Sequence, residues 1–307
     1  MKPDITVIIP FYGSKEDLRR CIEGLCTQTF SYPYEIIILE SGCDPEIKAM
    51  VSKIPNAYLT SSEDTMAPGR ARNLGVKFSN SSFLAFIDAD CIPEKNWLVE
   101  VYRSLQDYQI VLGPVLNLYP LHPIASVDNL LQFVDFQKYR NSVLTHFPAC
   151  NLGITKDLFL KSSGFPEELL TGEDIIFSEK AISLSNGSIY YNKNQRVRHS
   201  GRKKFSGFLK HNEVLGFYRG YLNLKLPKDR NTEGNLLLRS VYYTTRRLIY
   251  IIVRTLQWNP AGILRIILYF PLVVTGLYAW GVGFREGTGK RGLSEEPVTA
   301  NWQKGYK

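Results

Sequence analysis

Short β-branched runs alternate with helical stripes through the first half of the chain. Ile5-Thr-Val-Ile-Ile-Pro10 reads as a first strand ended by proline. Leu18, Ile22, Leu25 and Cys26 then fall at i, i+4, i+7 and i+8, a helical stripe for which Ser14 is the expected N-cap. Glu35 to Glu40 is a second strand, and Ala57 to Thr60 a weaker third. After a loop at 67–76 that feeds a helix, Phe83 to Ile87 is apolar at nearly every position, the pattern of a strand covered on both faces. Strands and helices alternating at this spacing imply βαβ units and a doubly wound, mainly parallel α/β sheet.

The second half is less regular. Residues 110–118 read as a strand with a bulge at Gly113-Pro114, and residues 124–138 as a helix. Ala149 to Ile154 is a strand and Lys156 to Ser162 a short helix. A turn at Gly164-Phe165-Pro166 leads to a helix carrying Ile175, Ile176, Ala181, Ile182 and Leu184, capped at Thr171 or Gly172.

From residue 205 the character changes. Aromatic and basic residues mix over 205–225, and 236–254 is apolar but punctuated by four arginines. Residues 266–284 then carry no charge; as one helix they would extend about 28 Å, enough for a hydrocarbon core. Tyr269, Tyr278 and Trp280 are candidate interface residues. Arginines precede both apolar segments, and Arg285, Lys290 and Arg291 follow the second, so loop charge does not orient a span. A monotopic or re-entrant hairpin accounts for that symmetry better than a single span; a helical hairpin packed on a soluble domain is the other reading. The expected division is a catalytic domain at 1–204, a basic, aromatic helical extension at 205–291 and a polar tail at 292–307.

Charge sharpens this division. The net charge is +8, yet residues 1–195 are acidic, while residues 196–291 hold 18 Lys and Arg against 4 Asp and Glu. Such a block suits an anionic membrane surface, a phosphate-bearing ligand or nucleic acid. No nucleic-acid motif accompanies it and its arginines alternate with long aliphatics, so nucleic acid is not the expected partner. Five scattered cysteines without a Cys-x-x-Cys pair argue against a disulfide framework or structural zinc. They suit a reducing compartment, and the expected location is the cytoplasmic face of the cell membrane.

Two acidic groups suggest chemistry. The strand at 83–87 runs into Asp88-Ala-Asp90, at the carboxyl edge where open α/β sheets bind ligands. Two carboxylates there suit a hard divalent cation that keeps sites free for phosphate oxygens; an acidic turn before a helix near Glu94 is the plainer alternative. Glu173 and Asp174 open the helix after Gly172, where the helix dipole favours an ionised carboxylate. That makes Asp174 a candidate general base, or simply a residue decorating a helix start.

Taken in order, Pro10, Glu40-Ser-Gly, Gly69-Arg-Ala-Arg-Asn-Leu-Gly75, Asp88-Ala-Asp90, Gly164-Phe165 and Gly172-Glu-Asp174 resemble the family 2 glycosyltransferases, inverting enzymes of the GT-A fold. The resemblance covers roughly residues 3–200. It implies that Asp88 and Asp90 hold a divalent cation, Mn²⁺ or Mg²⁺, against the diphosphate of a nucleotide-sugar. It places Glu40 where the family has an aspartate facing the nucleobase, with Pro10 and Tyr12 in the same pocket, and Arg70 and Asn73 on the nucleotide-side loop. Asp174 becomes the base that deprotonates an acceptor hydroxyl, and His199 a candidate third metal ligand. The implied acceptor is a lipid-linked or cell-surface glycan. A sugar-nucleotide-binding module without catalysis is the rival of another class. A nucleotidyltransferase is the nearest enzymatic rival, although Phe11-Tyr12-Gly13-Ser14 is a poor phosphate loop.

Overall fold

The computed structural model describes residues 2–137, 145–186, 189–222 and 235–289. In chain order these form β1 (Ile5–Phe11), α1 (Lys15–Cys26), β2 (Tyr34–Ser41), α2 (Pro45–Val51), β3 (Ala57–Ser62), α3 (Pro68–Phe78), β4 (Phe83–Ile87) and β5 (Cys91–Pro93). There follow α4 (Trp97–Leu105), β6 (Ile110–Leu112), β7 (Val115–Asn117), α5 (Pro123–Phe133), β8 (Asn151–Thr155), α6 (Lys156–Lys161) and α7 (Glu173–Leu184). The remainder is β9 (Tyr190–Tyr191), β10 (Val197–His199), α8 (Phe205–Leu222), α9 (Leu236–Trp258), α10 (Ile263–Leu268) and α11 (Phe270–Gly289).

The chain divides into two compact units. One comprises Met1–Leu116 and Asn141–His199, the other Asn117–Arg140 and Ser200–Lys307. This differs from the division expected at residue 204, because α5 belongs with the later helices. Its Val127, Leu130 and Leu131 share one apolar core with Phe208, Ile251, Ile266, Val273 and Leu277. The tail at 292–307 lies outside the described residues.

In the first unit a seven-stranded sheet has the order β3-β2-β1-β4-β8-β6-β9. Strands β3, β2, β1 and β4 are mutually parallel, and β8 runs antiparallel to both β4 and β6. The parallel half follows from the predicted βαβ units, since each crossover helix returns the chain to the same edge. Ser14 caps α1 as expected, its hydroxyl accepting from the Asp17 N–H at 3.2 Å. The expected bulge at Gly113-Pro114 is instead a change of sheet: β6 stays in the large sheet, and β7 joins a second one ordered β5-β10-β7.

In the second unit the uncharged run at 266–284 is not one helix. It breaks at Tyr269, and α11 restarts with Pro271 in its first turn, where a missing N–H costs nothing. Among the described residues no single helix is long and apolar enough to cross a membrane. The Pro260–Leu268 and Phe270–Gly289 segments pass that test only together, with a bend of 86° between them. The uncharged run is therefore a bent helix pair and not one straight helix. Residues Val273, Leu277, Trp280 and Phe284 of α11 are buried, so the uncharged part of this helix is packed against its neighbours, α8 among them. That packing is backbone to backbone: a Cβ on Gly283 would stand 1.9 Å from the Glu213 carbonyl oxygen.

Candidate active site

The carboxyl ends of parallel strands β2, β1 and β4 share one edge of the sheet, and most of the predicted site residues collect there. Pro10 lies in the last turn of β1 and Tyr12 just beyond it, exposed. Asp88 and Asp90 occupy the tight turn from β4 to β5, where the Cys91 N–H donates to the Asp88 carbonyl at 2.9 Å. Both aspartates remain partly accessible.

His199 arrives from a distance of more than a hundred residues. Strand β10 pairs antiparallel with β5, and the register sets His199 opposite Cys91. Its buried Nε2 comes within 3.3 Å of Asp90 Oδ2.

Arg72, which the motif reading passed over, is the centre of the site. Its buried guanidinium donates through Nη2 to Asp88 Oδ1 at 2.7 Å and through Nη1 to Glu173 Oε1 at 2.5 Å. Burial alone would lower its pKa, but the charges of Asp88 and Glu173 outweigh burial and hold it more firmly protonated than an ordinary arginine. The aspartate turn and the start of α7 are therefore one side chain apart. A readable signal existed: Gly69, Arg72, Asn73 and Val76 form an i, i+3, i+4, i+7 stripe, and all four are buried. Arg70 lies off that stripe and is exposed.

Two other predicted site residues are engaged within the fold. Asn73 spends its amide on the 164–167 turn, donating to the Phe165 carbonyl at 2.9 Å and to Glu167 Oε1 at 3.0 Å while accepting from the Phe165 N–H at 2.9 Å. Both of its donor hydrogens are used, so none is left for a phosphate. Glu40 is buried, accepting from the Asp44 N–H at 2.8 Å and from Ser61 Oγ at 2.6 Å. It ties the turn after β2 to β3.

Asp174 follows Glu173 in the first turn of α7, behind Gly172 in a left-handed conformation (φ 82°) that a side chain would resist. The Ile175 N–H donates to Asp174 Oδ1 at 2.8 Å. The helix-dipole argument predicted a readily ionised carboxylate, and the structure reverses it. Loss of water, with the Glu173 charge beside it, pushes the Asp174 pKa up to about 7, while Arg72 and two backbone N–H groups oppose the rise. The buried Cys150 thiol marks how close the acids are. It hydrogen-bonds Cys91, which favours its ionisation, yet burial and the charges of Asp88, Asp90 and Asp174 raise its pKa.

Among the described residues no three His, Cys, Asp or Glu side chains form a ready cation cage. The residues still fit a divalent cation of the kind that uses one or two carboxylates and takes its other oxygens from water and phosphate. Arg72 occupies one oxygen of Asp88 and leaves the other, and Asp90 is partly open.

Residues 6–156 match the family model Glycosyl transferase family 2. Glycosyltransferase AglE of Haloferax volcanii is 26% identical over 187 residues, 58% of this chain and 61% of AglE. The minor teichoic acid biosynthesis protein GgaB of Bacillus subtilis is 26% identical over 216 residues, 64% of this chain and 23% of GgaB. The chain thus spans less than two thirds of either relative. Among solved structures, the mannosyltransferase PcManGT of Pyrobaculum calidifontis, in complex with GDP-Man and Mn²⁺, superposes with a TM-score of 0.60 at 13% identity, covering 95% of this chain and 89% of that one. S. aureus TarS 1–349 with UDP-GlcNAc gives 0.54 at 16% identity, covering 94% and 91%. These likenesses establish the GT-A fold. The family match runs from β1 to the first residue of α6, across the Asp88-Ala-Asp90 turn, so residues 6–156 are a glycosyl transferase family 2 region.

Proposed function

We propose that this protein transfers a sugar from a nucleotide-sugar to an acceptor hydroxyl, with inversion at the anomeric carbon and with a divalent cation bound at Asp88 and Asp90. The observation that carries the reading is the bridge from Arg72 to both Asp88 and Glu173, which draws the aspartate turn and Asp174 into one site. Asp88, Asp90 and Glu173 outnumber the arginine between them, Arg72, and such a cluster favours a cation.

In this mechanism Asp88, Asp90 and His199 face the donor diphosphate, and Asp174 faces the acceptor. A bound Mg²⁺ or Mn²⁺ would supply charge stabilisation for the departing diphosphate. Asp174 accepts the hydroxyl proton as the acceptor oxygen bonds to the anomeric carbon. The bond from that carbon to the phosphate oxygen breaks, and its electron pair leaves with the nucleoside diphosphate. A base with a pKa raised to about 7 is matched to this proton transfer near neutral pH. Arg72 is a positioning residue: it fixes one oxygen of Asp88 and anchors Glu173, and so sets the start of α7.

The acceptor class suggested by the family is a lipid-linked or cell-surface glycan. Turnover of UDP-, GDP- and dTDP-sugars with Mn²⁺ tests the reading. Release of nucleoside diphosphate that disappears in Asp174→Asn, while nucleotide binding persists, is the expected result. Full turnover in that variant would refute it.

A further inference from the structure

Helix α9 is apolar on both of its faces: Leu248, Ile251, Ile252 and Trp258 face the unit's interior, and a second apolar stripe faces away from it. Its buried side chains include Ser240, Thr255 and the guanidinium of Arg247, with Ile251 and Trp258. Two polar contacts fix this orientation: Ser240 Oγ donates to the Gly281 carbonyl at 2.6 Å, and Arg247 Nη2 to the Leu131 carbonyl at 2.8 Å. The opposite face carries Leu238, Tyr242, Ile249, Val253 and Leu256, spaced 4, 7, 4 and 3 residues apart, and these are between 43% and 68% exposed. A water-facing helix shows the reverse arrangement. On α10, Leu264, Ile267 and Leu268 form a second exposed face at i, i+3 and i+4.

We infer that the outer face of α9, with the exposed face of α10, seats this protein on an anionic bilayer surface, the helix lying in the interface and not crossing it. Charge selects the occupant. Residues 236–268 contain five arginines and no acidic residue; Arg247 is turned inward and Arg254 pairs with Asp135 at 3.4 Å, while Arg246, beside the apolar stripe, is exposed. Aliphatic side chains entering the acyl boundary, with Arg239, Arg246 and Arg265 at headgroup level, match such a surface, as on the cytoplasmic leaflet. A second copy on the same face would bring three arginines against three, an arrangement that like charges oppose. This moves membrane contact chiefly to α9; of the uncharged run at 266–284 only its start, Ile267 and Leu268, takes part, while Val273 and Leu277 are buried inside the unit. It stands independently of the transfer reaction.

The test is flotation of the full chain with vesicles of phosphatidylcholine alone or with 30% phosphatidylglycerol, at low and high salt. Wild type is expected to float with the anionic vesicles and at least ten-fold less with neutral ones. Ile249→Glu/Val253→Glu should lose at least ten-fold of that binding with an unchanged melting temperature, because both sites are exposed. Arg246→Gln/Arg265→Gln should weaken binding to anionic vesicles only. Equal flotation of the glutamate variant, or no flotation of wild type, would overturn the inference. So would a wild-type dimer that this variant converts to monomer while vesicle binding is unchanged, since the face would then be a self-association surface.

Discussion

Arg72 in the sheet unit and Arg247 in the helical unit both take a guanidinium out of water, and their surroundings differ completely. Arg72 lies between two carboxylates, which hold its proton firmly. Arg247 meets a backbone carbonyl and the face of Trp280, 4.9 Å from its Cζ, and makes no ion pair among the described residues. Burial, with Arg219 nearby, lowers its pKa to about 10. The first charge is buried because the site uses it. The second is buried because it lies on the side of α9 that packs inward, where a carbonyl and an indole face receive it.

The largest expected effect concerns the acid that Arg72 and Glu173 support. Asp174→Asn should cut turnover by about 10²- to 10⁴-fold, the usual contribution of a positioned base, with nucleotide affinity by calorimetry little changed. Next is Arg72→Met, which strands Asp88 and Glu173. Chemical denaturation should show a loss of about 3–5 kcal/mol, the cost of removing one partner from a buried ion pair. Gly283→Ala tests the helical unit, where α11 meets the α8 backbone and the carbonyl cannot yield. Overpacking there should cost about 1–3 kcal/mol. Arg247→Met then breaks or confirms the comparison: removing a charge that folding disfavours should leave stability within about 1 kcal/mol of wild type. If it matched Arg72→Met in cost, the contrast would fail.

The Asp174 carboxyl also gives a pH dependence of stability. The Asp174 carboxyl has a raised pKa in the folded protein, so the native state keeps a proton that the unfolded chain releases. This group therefore withdraws stability as pH rises from about 4 to about 7 and contributes nothing below that window. Asp174→Asn should melt with wild type near pH 4 and above it at pH 8. A thermal-shift series across that range checks the sign.

Legibility of the site was uneven for definable reasons. Asp88-Ala-Asp90 and Glu173-Asp174 were readable because each sits where a strand ends or a helix begins, and such boundaries are written locally. Arg70 and Arg72 differ by two residues, which on a helix is more than half a turn. Only the buried stripe through Gly69, Arg72, Asn73 and Val76 tells which one faces inward. Asn73 and Glu40 carry the right chemistry for ligand contacts, yet partners brought in by the fold, Phe165 with Glu167 and Asp44 with Ser61, had already taken their hydrogen bonds.

The sequence by itself determined the alternation of strands and helices, the parallel half of the sheet and the acidic edge, because periodicity and chain-breaking residues act over a few positions. The tertiary structure decided which arginine joins the two acidic groups, how far Asp174 is removed from water, and which apolar surface remains uncovered. Those outcomes depend on which side chains meet across a hundred residues and on the water they displace. Neither quantity has a local signature in the chain.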